Sequence, residues 1–160
     1  MDEFQLLRLN KHVCFALYTA SNAFTRVYNK HLSEVGLTYE QYLVMMVLWQ
    51  EQQQSLQGLS DKLFLDNATL LPALKSLETA KLIERLPSNQ YDGAIIITLT
   101  TLGNQIQYKT SQIQQKMVCD TGLTELEHFE LREKIDKALD SFKLHEQRMD
   151  DLIKNQPADS

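Results

Sequence analysis

Apolar side chains at Leu6, Leu7, Val13, Leu17, Ala20, Phe24, Val27 and Leu32 recur largely at spacings of three and four, the period of one helix face. They predict one long helix from Phe4 to about Ser33. In "EVGLTYEQYL" Gly36 supplies a left-handed cap, and Thr38 with Gln41 three residues later forms a capping box that opens a second helix, Tyr39 to about Gln50. That helix carries "YLVMMVLW", apolar on almost every side, and reads as a buried core helix too short for a bilayer. Two short amphipathic helices follow, about Ser55 to Phe64 and Asn67 to Ala80, joined by a tight turn at Leu65 and Asp66. Asp66 is a good N-cap for the second, and the pair has the signature of a helix-turn-helix.

The period then changes. Leu82 to Leu86 is followed by a polar stretch with Pro87, Ser88, Asn89, Asp92 and Gly93, then by β-branched Ile95, Ile96, Ile97 and Thr98, which reads as a hairpin. Thr100 caps a helix from Thr101 to about Val118, and Thr124 with Glu127 caps another from Glu125 to about Ile153, leaving a polar tail at 154–160 that frays. The expected fold is mainly α in a single chain, 1–160: a winged helix-turn-helix over 38–100 with a small β-hairpin wing, between long N- and C-terminal helices, 1–35 and 101–153. Those terminal helices are too long and too apolar on one face to satisfy themselves, so they form a dimerisation region with a second copy. A homodimer presents two recognition helices to double-stranded operator DNA, as a palindromic site requires.

Composition narrows the picture. With 160 residues, 43% apolar, and few glycines and prolines, the chain is one folded domain rather than a disordered or fibrous one. No apolar run approaches the roughly 18 residues of a membrane span, and the acidic N-terminus is no secretory signal, so the expected place is the cytoplasm, away from any membrane. A net charge of −5 argues against indiscriminate nucleic-acid binding but leaves room for a local groove-reading element. The two cysteines, Cys14 and Cys119, have no paired spacing, so they make neither a zinc site nor a C-x-x-C motif. Most lone cysteines are small buried hydrophobes, and by themselves these two specify no chemistry. His12, His31, His128 and His145 have no metal-ligand spacing; no metal, no cofactor and no catalytic triad is assigned. A thiol peroxidase built on the two cysteines is the rival from the enzyme class, but nothing resembles a thioredoxin-like sheet.

Three stretches carry a resemblance: "CFALYTASNAFTRVY" at Cys14 to Tyr28, "GLTYEQYLVMMVLW" at Gly36 to Trp49, and "LFLDNATLLPALKSLE" at Leu63 to Glu78. Together they resemble the MarR family of winged-helix repressors, and within it the organic-hydroperoxide-sensing, OhrR-like branch, over nearly the whole chain. The resemblance implies a non-enzymatic, redox-sensing repressor in which Cys14 reacts with an organic hydroperoxide and Tyr18, Tyr28 and Tyr39 line the sensor pocket. Cys14 and Tyr28 are fourteen positions apart, roughly 21 Å along one helix, so Tyr28 and Tyr39 can serve the cysteine only from the partner subunit. Phenol donors and the positive end of a helix favour the reactive thiolate, whose attack on the peroxide leaves a sulfenic acid. Phe15, Leu17 and Val13, with Met45 and Met46, suit a peroxide's apolar tail, while core packing is the other role open to each. One subset of the family resolves the sulfenic acid with a second cysteine of the other subunit, and Cys119 stands at that place; capping of Cys14 by a small thiol is the alternative.

The same resemblance makes "NATLLPALKSLE" the recognition helix, with Asn67, Ala68, Thr69, Leu71, Pro72, Lys75 and Ser76 at the contact positions and Leu70, Leu74 and Leu77 in the core. Two departures stand out. The family commonly has threonine and arginine where Leu71 and Ser76 stand, and its wing usually carries an Asp-x-Arg pattern where this chain has Tyr91, Asp92 and Gly93. Asn89 and Gln90 are left as the minor-groove candidates. Fewer cations imply weaker binding, a shallower salt dependence or a different operator. Two further readings stay open: a repressor released by a small aromatic ligand in the dimer crevice, and a thiol-redox protein acting through a protein partner.

Overall fold

The computed structural model describes residues 8–87 and 95–154. They form two compact units, one ending at Met117 and the other beginning at Val118.

In the first unit α1 spans Val13–Leu32. Its start corrects the expectation of a helix from Phe4. A single 3-10 turn, Leu9–Lys11, lies between extended backbone at Arg8 and His12. The apolar spacing does not foretell this, since Leu6, Leu9, Val13 and Leu17 keep intervals of three and four; the extended backbone at His12, which offers no side-chain cap bond, is what separates α1 from the turn before it. Leu6 and Leu7 themselves lie outside the described residues.

Gly36, at φ 72°, turns the chain into α2, Tyr39–Glu51. The expected capping box is present: Thr38 N–H donates to Gln41 Oε1 at 2.9 Å and Gln41 N–H to Thr38 Oγ1 at 3.4 Å. The helix-turn-helix comprises α3, Leu56–Leu63, and α4, Asn67–Thr79. Ser55 caps α3 through the Gly58 N–H at 3.0 Å, and Asp66 caps α4 through the Thr69 N–H at 2.8 Å. Between them Phe64 closes α3 in the left-handed region, φ 53°, and the Ser60 hydroxyl donates to the Leu65 carbonyl at 2.7 Å.

The wing is a three-stranded antiparallel sheet rather than a simple hairpin. β2, Ile83–Pro87, and β3, Ile95–Leu99, pair as expected, and β1, Gln53–Ser55, pairs with the other edge of β3. Gln53 faces Thr98 and Ser55 faces Ile96 in one register; Ile83 faces Leu99 in the other. β1 is polar and only three residues long, so it has no apolar alternation to betray it; backbone pairing alone makes it a strand.

The core joins Leu32 of α1, Val44, Met45 and Leu48 of α2, Leu59 of α3, Leu70, Leu74 and Leu77 of α4, and Ile83 and Ile97 of the sheet. Ile113 and Met117 of α5, Thr101–Asp120, complete it. The start of α5 is held closely: Thr100 Oγ1 accepts from the Gly103 N–H at 3.0 Å and donates to the Lys81 carbonyl at 2.7 Å. Trp49 Nε1 donates to the Gly103 carbonyl at 2.9 Å, and a Cβ at Gly103 would strike the carbonyl of Leu82.

In the second unit Gly122, at φ 69°, turns the chain out of α5, and Thr124 with Glu127 forms the expected capping box of α6, Glu125–Lys154. Leu126, Phe129, Leu139, Phe142 and Leu144 are exposed along α6. Among the described residues no helix is long and apolar enough to cross a membrane, and no group of three His, Cys, Asp or Glu side chains could hold a metal ion.

Candidate sensor cysteine and nucleic-acid interface

Cys14 is the second residue of α1, in the turn whose backbone N–H groups have no helical partner and which carries the positive end of the helix dipole. Its thiol is exposed, as is that of Cys119 in the last turn of α5. Around Cys14 the surface is apolar: Val13, Phe15, Leu17 and Tyr18 are all exposed, Tyr18 at 67%. Such a run of exposed apolar side chains at a helix start is more than the scattered hydrophobics of an ordinary surface.

The other aromatic residues lie at the far end of α1. Tyr28 and Tyr39 come together with ring centroids 4.9 Å apart, and Tyr42, one turn further along α2, stacks on Tyr28 at 5.6 Å. The Tyr28 hydroxyl donates to Gln114 Oε1 of α5 at 2.6 Å, and the Tyr42 hydroxyl reaches the same oxygen at 3.3 Å. Asn29 Oδ1 accepts from the Tyr39 N–H at 2.7 Å, tying α1 to the first turn of α2. Burial of the phenol, reinforced by Tyr42 and Tyr39 and opposed by the Gln114 hydrogen bond, pushes the pKa of Tyr28 up to about 12. Burial likewise raises Tyr39 and Tyr42. These tyrosines are therefore neutral hydrogen-bond donors at physiological pH.

Of the four expected pocket residues, then, the fold unites Tyr28 and Tyr39 and leaves Phe15 and Tyr18 at the exposed start of α1. Tyr42 and Gln114 were missed. Tyr42 was legible in principle, three residues beyond Tyr39 on one helix and hence on the same face. Gln114 was not, because only the packing of α5 brings it there. Of the two methionines, Met45 is fully buried in the core, whereas Met46 is half-exposed. Met46, Tyr42 and Trp49 line one wall of an open cleft of about 430 Å³ whose other wall includes Gln107 and Gln114.

On α4 the division between faces is complete. Leu70, Ala73, Leu74 and Leu77 are buried, while Asn67, Ala68, Thr69, Leu71, Pro72, Lys75 and Ser76 are all exposed. Lys75 and Lys81 are the exposed cations between Asp66 and Arg85. Arg85 is half-buried against Glu78 at 3.2 Å, an ion pair without hydrogen-bond geometry. Lys62 of α3 lies 2.7 Å from Glu51, and Asp66 spends its carboxylate on the α4 N-terminus, where the Thr69 N–H holds its pKa below the usual range. Asn89 and Gln90 lie outside the described residues.

Comparison with known proteins gives these surfaces their context. The family model "Transcriptional regulator SarA/Rot" matches residues 26–113, more than half of the chain. HTH-type transcriptional regulator TtmR of Methylorubrum extorquens is 37% identical over 72% of this chain, which spans 60% of TtmR's length. The organic hydroperoxide resistance transcriptional regulator of Bacillus subtilis is 32% identical over 70% of this chain and 76% of its own. Reduced AbfR bound to DNA superposes with a TM-score of 0.70 at 32% identity, over 89% of this chain and 99% of that one; AbfR from Staphylococcus epidermidis has also been solved in a disulfide-formed state. The exposed face of α4, the wing beside it and these likenesses agree, and the chain belongs to the MarR/SarA family of winged-helix, DNA-binding transcriptional regulators.

Proposed function

We propose that this regulator is a homodimeric repressor whose operator affinity falls when Cys14 is oxidised by an organic hydroperoxide. One observation carries the reading. Cys14 is exposed in the first turn of α1 with Tyr18 one turn on, whereas Tyr28, some fourteen residues or roughly 21 Å along that helix, clusters with Tyr39 of α2, so those two phenols can join the thiol site only from a second chain. The names of relatives support it: one is an organic hydroperoxide resistance regulator, and another has been solved reduced on DNA and in a disulfide-formed state.

In the reaction the Cys14 thiolate attacks one peroxide oxygen, the O–O bond breaks, and the departing alkoxide takes a proton to leave as an alcohol. Sulfur is oxidised to a sulfenic acid and the peroxide is reduced. A second thiolate, that of Cys119 in the partner, then attacks the sulfenic sulfur; a disulfide forms and hydroxide leaves as water. A dithiol reductant reverses this. In this reading the segments 1–35 and 101–153 supply the dimerisation region and 38–100 the DNA-reading unit. Oxidation biases the dimer between two spacings of its recognition helices; because release needs only differential affinity, a few kcal/mol suffices.

The test is anisotropy of labelled duplex from upstream of the gene, read before and after stoichiometric organic hydroperoxide. Tight binding lost on oxidation and restored by dithiothreitol is expected. Cys14→Ser should bind and resist release. Cys119→Ser should still respond but yield no intersubunit disulfide on a non-reducing gel. Release of the Cys14→Ser protein by peroxide would overturn the redox mechanism. A second reading has its own observation: the cleft beside Met46, Tyr42 and Trp49 has room for a small aromatic effector, and peroxide-indifferent binding would favour it.

A further inference from the structure

The exposed face of α4 is short of charge and rich in carbon. Asn67, Leu71 and Lys75 recur every four residues and so form one row; Ala68, Pro72 and Ser76 form the row beside it, and all six are exposed. At 1.5 Å per residue the first row is roughly 12 Å long, about three to four base pairs of a duplex. Leu71, at its centre, is 44% exposed while its neighbour Leu70 is fully buried, so its side chain takes no part in the core. Neither α3 nor α4 contains an arginine.

The chemistry of the major groove makes this informative. Guanine is read most often by a bidentate arginine or lysine, adenine by asparagine or glutamine, and the thymine methyl by an apolar side chain. This face offers one lysine, one asparagine at its N-terminal end, and a central apolar strip of Ala68, Leu71 and Pro72. We infer that Leu71 is a specificity-determining residue that packs on a thymine methyl group, and that the half-site this chain prefers is centred on A·T pairs oriented to present that methyl.

This inference rests on operator binding by α4, and the experiment separates the two. Duplexes bound by the reduced, full-length protein are selected from a random pool. Each thymine of the recovered half-site is then replaced in turn by deoxyuridine, which removes the methyl and keeps the Watson–Crick pairing. At one central position uracil should weaken binding about fourfold, the factor that corresponds to burying one methyl group. Leu71→Ala should bind the thymine duplex more weakly and lose that discrimination, and Leu71→Met should keep it. Lys75→Ala should weaken both duplexes equally, as a phosphate contact does. Equal affinity of the unaltered protein for thymine and uracil at every position of a tightly bound site overturns the role of Leu71 alone. A pool with no enriched sequence overturns operator reading by α4 and the inference with it.

Discussion

At the residue scale the tyrosine cluster sets a pH limit. Because the folded state holds Tyr28 neutral, its stabilisation is complete below the ordinary phenol value of 10 and is lost as pH rises from there towards about 12. Thermal melts between pH 9 and 11.5 should fall more steeply for the unaltered chain than for Tyr28→Phe, which has no proton to lose. At neutral pH Tyr28→Phe should cost about 1 kcal/mol, since the Gln114 amide oxygen keeps only its longer contact with Tyr42. Gly103 gives a second residue-scale outcome. A methyl there meets the Leu82 backbone, so Gly103→Ala should lower unfolding free energy in urea by roughly 1–3 kcal/mol despite alanine's better helix propensity.

At the scale of elements, helix starts with a capping side chain were the most legible feature, while the start of α1, where His12 makes no side-chain cap bond, was misplaced. Thr38, Asp66, Thr100 and Thr124 each announce a helix through a side-chain oxygen placed before it, and each forms the expected cap. Local chemistry of this kind needs no tertiary knowledge. The failures came where the deciding interaction is remote: "QQS" is a strand because β3 lies beside it, and Gln114 joins the tyrosines because α5 packs across them. The two faces of α4 were fully legible, since Leu70, Leu74 and Leu77 were expected in the core and are buried while the other face is exposed. Its packing makes a further prediction: Leu74→Ala should destabilise the fold by roughly 2–5 kcal/mol, whereas Leu71→Ala, on the exposed face, should leave the unfolding midpoint nearly unchanged.

At the scale of the molecule, two properties follow from surfaces. Apolar side chains are exposed on α1 and on α6, and if the proposed dimer covers them the melting temperature should rise with protein concentration, as it does when folding is linked to association. Charge governs the other. With Lys75 and Lys81 as the exposed cations of the 66–85 segment, a dimer brings four there, and the log-log salt slope of operator binding should be shallow, on the order of −4. Titration of the anisotropy signal at several salt concentrations reads it directly.

The small third strand carries a mechanical consequence. β1 occupies the interval between the end of α2 and the start of α3, and its pairing with β3 ties that junction to the wing. Strand registers are discrete: a slip by one residue would turn Ile97 from the core and bring its neighbours inward. The wing therefore cannot follow a moving α2 by sliding a little. It should stay seated until the strain on the junction exceeds the cost of unpairing, like a latch, so that a graded displacement of α2 would free the wing abruptly.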